Sequence, residues 1–296
     1  MDRVTLPSPS KINLYLEVLG RRDDGYHEII SIAVLTELCD TVTLERRASG
    51  ITIGVADPQV PSGPQNMCYR AAELLLRHCG IAAGINIQIE KRIPISGGMG
   101  GGSSNAAATL WGLNLVYGLG RSREELMCLG GELGSDVPLF FSQGAAFVKG
   151  RGERVEEMPA LCPRWLVIAN PGIAISTALV YGLLSLPLTS ARAGIRMRAL
   201  FESGQEDAAL SCCFNRLEDV VLQAYPAVAE LKQRMVVLGA SPALVSGSGA
   251  TVFGVMKDAD MAERVASTLV ETGFRAVACR TLDRNPMFAV AQCRSN

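Results

Sequence analysis

A glycine-rich loop is the part of this sequence with the clearest chemical capacity. Five of the six residues at positions 97–102 are glycine, and small residues suited to a helix follow directly. Glycine lets the backbone approach a ligand closely, and the first N–H groups of a helix have no partner within the helix. These donors and the helix dipole favour a phosphate group. The pattern predicts a phosphate site, with a flexible loop that binds no ligand as the alternative.

Two familiar phosphate-binding motifs do not fit this loop. A Walker A motif ends in Gly-Lys-Ser/Thr, whereas Gly102 is followed by Ser103. A dinucleotide fingerprint that begins at Gly98 would need a glycine where Ser103 stands. The predicted phosphate site therefore belongs to another type.

Three polar side chains elsewhere could act at such a loop. Lys11 and Asn13 lie in an alternating segment, and Asp136 precedes Val137 and a proline. If Asp136 faced the loop with Lys11 beside it, the carboxylate would accept a proton from an attacking hydroxyl, while the lysine lowered its pKa and oriented it. Taken singly, the lysine and asparagine fit a solvated strand face, and the aspartate fits a cap on a short helix.

A turn at residues 20–27 brings an aromatic ring and an imidazole together. Its Asp-Gly pair predicts a tight turn after the first alternating segment. Tyr26 supplies a flat stacking surface, and His27 supplies a hydrogen-bonding group beside it. Packing at the rim of the turn is the alternative for both residues.

The elements that must position these groups are strands and helices in alternation. Alternating residues at 85–90 predict a strand before the glycine loop, and the loop leads into a helix. In segment 11–19, alternation predicts that the polar residues share one face and the apolar residues the other. The apolar set is Ile12, Leu14, Leu16 and Val18.

The C-terminal half predicts an α+β sandwich with helices on one face of a sheet. A second glycine-bearing turn at residues 246–250 lies between two strand-like segments and fits a hairpin. The segments predicted as strand, helix, strand, helix and strand are 165–169, 227–238, 251–256, 261–271 and 275–278.

Composition limits the possible partners. The 296 residues suffice for two domains, which we place at 1–155 and 156–296. There is no apolar run long enough to cross a bilayer and no signal-peptide pattern, so we expect a cytoplasmic protein. The net charge of −1 gives no overall attraction to nucleic acid or membranes, and the pairs at 46–47 and 91–92 are expected to be solvated.

The cysteine pattern argues against a metal site or a disulfide framework. The nine cysteines are an odd number without a Cys-x-x-Cys pair, and the chain has only two histidines. We therefore expect reduced, mostly buried thiols and no metal bound by the protein itself.

Several of these motifs together resemble the GHMP kinases. Residues 94–108 resemble the ATP loop of that family, and residues 246–250 resemble its C-terminal glycine motif. Residues 7–16, 20–27 and 100–107 resemble the branch that phosphorylates the 2-hydroxyl of a methylerythritol linked to cytidine diphosphate, in non-mevalonate isoprenoid biosynthesis. The resemblance spans most of the chain. It implies an α+β fold with a ribosomal protein S5 domain 2-like N-terminal domain, a ferredoxin-like C-terminal domain and an active site between them.

The resemblance also implies roles for individual residues. ATP is the expected phosphoryl donor, with Mg²⁺ carried by the nucleotide. Lys11 and Asp136 are the implied catalytic pair, and Asn13 lies beside the acceptor hydroxyl or phosphate. The residues implied to engage cytosine are Tyr26, His27 and Tyr181, although a core position on a helix is the alternative for Tyr181. The residues implied to cradle the triphosphate are Pro94, Ile95, Ser96, Gly97, Gly98, Met99, Gly100, Gly101, Gly102, Ser103 and Ser104.

Two other functions stay open at this point. A GHMP kinase for another small alcohol, such as homoserine or phosphomevalonate, lacks support from the Asp-Gly-Tyr-His turn. A catalytically silent nucleotide-binding regulator on the same fold is the second, and retention of Lys11 and Asp136 argues against it. The expected partner is a small molecule with a cytidine diphosphate moiety, without nucleic acid or membrane, and the expected state is a monomer or homodimer.

Overall fold

The computed structural model describes residues 1–184 and 192–289, which form two sheets with helices packed against them. The strands are β1 (Arg3–Arg21), β2 (His27–Arg47), β3 (Ile51–Val55), β4 (Gly84–Glu90), β5 (Ala145–Gly150), β6 (Arg154–Glu157), β7 (Trp165–Asn170), β8 (Phe214–Asn215), β9 (Ala243–Val245), β10 (Val252–Met256) and β11 (Arg275–Arg280). The helices are α1 (Met67–His78), α2 (Gly101–Tyr117), α3 (Arg123–Leu133), α4 (Thr177–Leu183), α5 (Arg192–Glu202), α6 (Glu206–Leu210), α7 (Glu218–Ala224), α8 (Pro226–Val237) and α9 (Ala259–Glu271).

The larger sheet is built on the long antiparallel pair β1 and β2. Its main strand order is β3-β4-β2-β1-β8, and β5 and β6 continue from β2. Helices α1, α2 and α3 pack on this sheet around one apolar cluster. The predicted strand before the glycine loop is β4, and the predicted helix after it is α2, so both are confirmed.

A β-bulge in β1 reverses the faces of this strand. The pairing with β2 shifts register between Asn13 and Tyr15, which makes Leu14 an extra residue. Leu14 therefore packs with Tyr15 in a cluster shared by the two sheets, whereas Leu16 and Val18 pack in the cluster that also contains residues of α8 and α9. The prediction that the alternate apolar residues of segment 11–19 share one face is wrong, because strict alternation takes no account of an inserted residue.

The smaller sheet has the antiparallel order β11-β7-β10-β9. Helices α8 and α9 pack on one face of it, and the other face packs on residues of the larger sheet. The predicted sandwich with helices on one face is confirmed. The strands and helices predicted for the C-terminal half are confirmed too, with bounds that differ by a few residues.

The described residues bear on two expectations from the sequence, the absence of a membrane-spanning segment and the burial of the cysteines. None of the helices there is both long and apolar enough to cross a bilayer. Eight free cysteines are described, and only Cys68 and Cys279 are buried, so the prediction of mostly buried thiols is wrong. Cys128 is exposed on α3 and Cys162 is exposed in the loop after β6, positions that a residue type alone does not reveal.

Candidate active site

A cleft of about 1140 Å³ lies between the glycine loop, the bulged part of β1, the turn before β2 and helix α4. Among the described residues, its charged lining consists of four basic residues and one acidic residue, Asp136, so it favours anionic ligands. The basic ones are Lys11, Arg21, Lys91 and Arg151. Every site residue predicted from the sequence lines this cleft except Ser104.

The glycine loop presents the unpaired end of α2 to the cleft. Gly100 caps the helix in a left-handed conformation, with φ of 69° and no side-chain hydrogen bond. A Cβ at this position would lie 2.7 Å from the ring of Phe140. The first turn of α2 carries no acidic residue that would oppose an anion. The cleft therefore meets free N–H donors and a positive helix end.

The second glycine motif docks onto the first. The N–H of Thr251 donates to the carbonyl of Gly97 at 3.3 Å, and the hydroxyl of Ser246 donates to the carbonyl of Gly98 at 3.2 Å. A Cβ at Gly98 would lie only 2.2 Å from the carbonyl oxygen of Ser246. A Cβ at Gly97 would lie 2.6 Å from Thr251 Oγ1, so contacts within the protein favour glycine at both positions, as does any close approach of a ligand.

The lysine and aspartate predicted as a pair meet beside this loop. Lys11 Nζ lies 3.9 Å from Asp136 Oδ2 and donates to Asn13 Oδ1 at 2.7 Å. Burial lowers the pKa of Lys11, and the Asp136 carboxylate opposes that shift. The short helix Pro138–Phe141 has Val137 at its N-cap and no side-chain cap, so Asp136 does not act as a helix cap.

The predicted aromatic groups lie in the same cleft. The rings of His27 and Tyr181 are stacked, with centroids 4.9 Å apart and 30° between their planes. Tyr26 is 51% exposed. Burial, and to a smaller extent the Asp136 carboxylate, raise the pKa of Tyr181. Burial and then Arg21 lower the pKa of His27, which favours the neutral imidazole.

The two serines after the glycines have different environments. Ser103 lines the cleft. Ser104 is fully buried, and its hydroxyl is hydrogen-bonded to that of Ser8 at 2.7 Å. Its N–H donates to the carbonyl of Gly100 within the helix. Of the two hydroxyls, that of Ser103 is the one available to a ligand.

A buried charge cluster supports the loop and was missed in the sequence. Asp40 is fully buried and accepts hydrogen bonds from the Lys91 side chain, from the N–H groups of Arg92 and Ile93 at 2.7 and 2.9 Å, and from the Asn105 amide at 3.1 Å. Lys91 was expected to be solvated, but its side chain is only 12% exposed and lines the cleft. The expectation failed because the partner of Lys91, Asp40, lies on β2, 51 residues earlier in the sequence.

The family follows from comparison with known proteins. The model described as "GHMP kinases N terminal domain" matches residues 66–144, and the model described as "GHMP kinases C terminal" matches residues 197–274. The chain belongs to the GHMP kinase family. The glycine loop, Asp136 and the start of α2 all lie within the first match.

Similar GHMP kinases cover almost the whole chain. A 4-diphosphocytidyl-2-C-methyl-D-erythritol kinase of Syntrophotalea carbinolica is 43% identical over 92% of this chain and 96% of its own length. The kinase of the same name from Shouchella clausii is 42% identical over 90% of each chain.

Solved structures of GHMP kinases share the fold. A crystal structure of 4-(cytidine 5'-diphospho)-2C-methyl-D-erythritol kinase has a TM-score of 0.78 and 34% identity, and covers 94% of this chain and 99% of that one. Homoserine kinase from Cytophaga hutchinsonii has a TM-score of 0.77 over 96% of each chain, at 16% identity. At that identity the second likeness shows the fold alone.

Proposed function

We propose that this GHMP kinase transfers the γ-phosphoryl group of ATP to the 2-hydroxyl of 4-diphosphocytidyl-2-C-methyl-D-erythritol. The observation that carries the proposal is the placement of Lys11, 3.9 Å from Asp136, at a glycine loop with open N–H donors. The kinases named for this substrate at 41–43% identity support the choice of acceptor.

The glycine loop is the part of the cleft that would bind the phosphoryl donor. ATP is the phosphoryl donor in this family, and transfer of its γ-phosphoryl group spreads negative charge over the phosphate oxygens. The N–H groups at the start of α2 and the helix dipole stabilise that charge. Lys91, held by Asp40 beside Gly101, adds a positive charge: a Cβ at Gly101 would lie 3.1 Å from Lys91 Nζ.

Mg²⁺ fits this end of the cleft when it is carried by the nucleotide. Magnesium prefers oxygen ligands, and the Ser103 hydroxyl is the protein oxygen that we assign to it, because Ser104 is bonded to Ser8. Bound there, the ion would neutralise charge on the β- and γ-phosphates.

The acceptor hydroxyl would meet the paired charges. Asp136, half exposed to the cleft, would accept the proton from the 2-hydroxyl as that oxygen attacks phosphorus. The ammonium of Lys11 would stabilise the charge that develops between donor and acceptor. Asn13 fixes the lysine by accepting its hydrogen bond, so the pair enters the reaction already oriented.

The far end of the cleft supplies a surface for a nucleobase. Tyr26 offers an exposed ring, and His27 and Tyr181 form a stacked pair. Aromatic faces bind a base by stacking, and a neutral imidazole both donates and accepts hydrogen bonds. Cytosine at this end would direct the methylerythritol toward Asp136, which lines the same cleft.

A coupled assay of ADP release tests this function. Wild type is expected to turn over the cytidine-linked substrate, and Asp136→Asn or Lys11→Ala is expected to lower turnover by about 10²–10⁴-fold while the Kd for ATP changes little. Near-normal turnover in both purified variants would contradict the assigned roles.

The same assay separates the alternatives. Turnover of homoserine or phosphomevalonate instead of the cytidine-linked alcohol would assign another acceptor. ATP binding without ADP release on any of the three alcohols would indicate a silent regulator.

A further inference from the structure

The hairpin between β5 and β6 places a guanidinium over the ring of Tyr26. Arg151 Cζ lies 5.1 Å from the centroid of that ring, within the range of cation–π attraction. Both side chains line the cleft, and Tyr26 remains 51% exposed. Arg151 therefore stacks on a ring that is still accessible to a ligand.

Arg151 differs from the other cations that stack on rings in the described part of the chain. Each of the others also lies within 4.0 Å of a carboxylate, whereas no carboxylate of the described residues pairs with Arg151 in this way. Among the described residues, Arg151 thus stacks on Tyr26 without a carboxylate within 4.0 Å. The pKa of Asp24 is lowered mainly by the N–H of Tyr26 and to a smaller extent by Arg22 and Arg151, so the charge of Arg151 also acts on this turn at longer range. The other cations are Arg46, Arg123, Lys149, Arg198, Arg234 and Arg280.

The backbone that carries Arg151 is a tight turn with fixed contacts. Gly150 and Gly152 have φ of 75° and 120°, and the N–H of Arg151 donates to Glu153 Oε2 at 2.7 Å. A Cβ at Gly152 would lie 3.2 Å from Ser135 Cβ, next to the catalytic aspartate in the sequence. The backbone of this turn therefore lies against Ser135, and the guanidinium of Arg151 extends from a turn whose main chain is fixed.

The backbone and the ring of Tyr26 are held by different residues. The N–H of Tyr26 donates to Asp24 Oδ1 at 3.0 Å, which fixes the main chain of the turn. Arg151 contacts the ring itself. A half-exposed side chain loses rotamer freedom when it binds a ligand, and ordering it beforehand reduces that cost.

We infer that Arg151 is a positioning residue for the nucleobase end of the substrate, because it holds the ring of Tyr26 in place for stacking against the base. The inference rests on the proposed function, which assigns cytosine to Tyr26. It concerns affinity for the cytidine-linked substrate and leaves the glycine loop and the Lys11–Asp136 pair unchanged.

A double-mutant cycle between Arg151 and Tyr26 tests the inference. Arg151→Ala is expected to raise KM for the cytidine-linked substrate about two- to fivefold, with kcat and KM for ATP unchanged. Arg151→Lys keeps a cation and should recover part of the wild-type KM. In a Tyr26→Ala background, Arg151→Ala should change KM no further, because the ring through which it acts is gone.

Two results would overturn the inference. An unchanged or lowered KM in Arg151→Ala would show that the guanidinium does not support binding. A rise in KM that persists in the Tyr26→Ala background would show that Arg151 acts independently of the ring. Arg234→Ala is the matched control, since Arg234 stacks on Phe274 at 5.6 Å outside the residues of the cleft.

Failure of the proposed function is distinguishable from failure of this inference. If wild type releases no ADP with the cytidine-linked substrate, the proposed function fails. The four proteins of the double-mutant cycle are then compared by their Kd for CDP, measured by calorimetry. If wild type turns the substrate over while the cycle shows no coupling, only the inference fails. Absence of CDP binding by wild type would overturn the inference as well.

Discussion

The rings of His27 and Tyr181 stack on each other with their centroids 4.9 Å apart. A base inserted between them would need about 7–8 Å between the two rings, because each of its two stacked contacts takes about 3.5–4.0 Å between carbon atoms. The cytosine of the proposed substrate would therefore bind against an outer surface of the pair or against Tyr26. Tyr181 then contributes as a support for His27 and as part of the wall of the cleft.

The stacked pair leads to a prediction for Tyr181. Tyr181→Ala removes the ring that supports His27 and should raise KM for the cytidine-linked substrate about two- to tenfold, the scale of an aromatic pair. Tyr181→Phe keeps the ring and should stay within about twofold of wild type. Steady-state kinetics of the three proteins check this. Equal effects of the two substitutions would show that the hydroxyl matters and the ring does not.

The buried lysine leads to a prediction on pH. Burial lowers the pKa of Lys11, so its ammonium is lost at a lower pH than that of an ordinary lysine. If the protonated form stabilises the transferring group, kcat/KM, which reports the pKa values of the free enzyme, should fall on the alkaline side, with its midpoint below the ordinary lysine pKa. Lys11→Arg stays charged throughout and should lose this alkaline limb, whatever its absolute rate. An unchanged profile in Lys11→Arg would assign the limb to another group.

Local patterns were sufficient for much of the fold around the site. The strand 85–90, the glycine loop and the helix after it follow from residues that are neighbours in sequence, and β4 and α2 confirm them. The bulge at Leu14 could not be predicted, because it depends on how β1 pairs with β2. The bulge brings Leu16 to the face of Lys11 and Asn13, and all three line the cleft.

Contacts between distant segments were the part of the site that sequence reasoning could not provide. The cluster of Asp40 with Lys91 and the stacking of Arg151 on Tyr26 join strands and turns far apart in the chain. Residue types at these positions fit solvated surface equally well. The resemblance to a family implies the roles of Lys11 and Asp136, whereas the distance of 3.9 Å between Lys11 Nζ and Asp136 Oδ2 is given by the structure.

Alanine substitutions at two glycines of the loop should affect the free energy of unfolding and ATP binding separately. Gly98→Ala brings a Cβ within 2.2 Å of the Ser246 carbonyl at a φ of 76°, so we expect a loss of about 2 kcal/mol in the free energy of unfolding. At Gly102 the nearest atom to a new Cβ is Met67 Sδ at 3.7 Å. Gly102→Ala should therefore keep its stability and instead weaken ATP binding. Urea unfolding and calorimetry with ATP measure the two effects, and a destabilised Gly102→Ala would contradict the assignment.

The two serines after the loop give the last test, because their hydroxyls lie in different environments. Ser103 lines the cleft, so Ser103→Ala should raise the Mg²⁺ concentration needed for half-maximal turnover while leaving the free energy of unfolding within about 0.5 kcal/mol of wild type. Ser104→Ala leaves the buried hydroxyl of Ser8 without its 2.7 Å partner, so it should cost about 1–3 kcal/mol of stability and leave the Mg²⁺ dependence unchanged. Turnover titrated with Mg²⁺ at saturating ATP, together with urea unfolding, distinguishes them. The reverse result, with Ser104→Ala alone shifting the Mg²⁺ requirement, would move the ion to the other hydroxyl and require Ser8 and Ser104 to separate when the nucleotide binds.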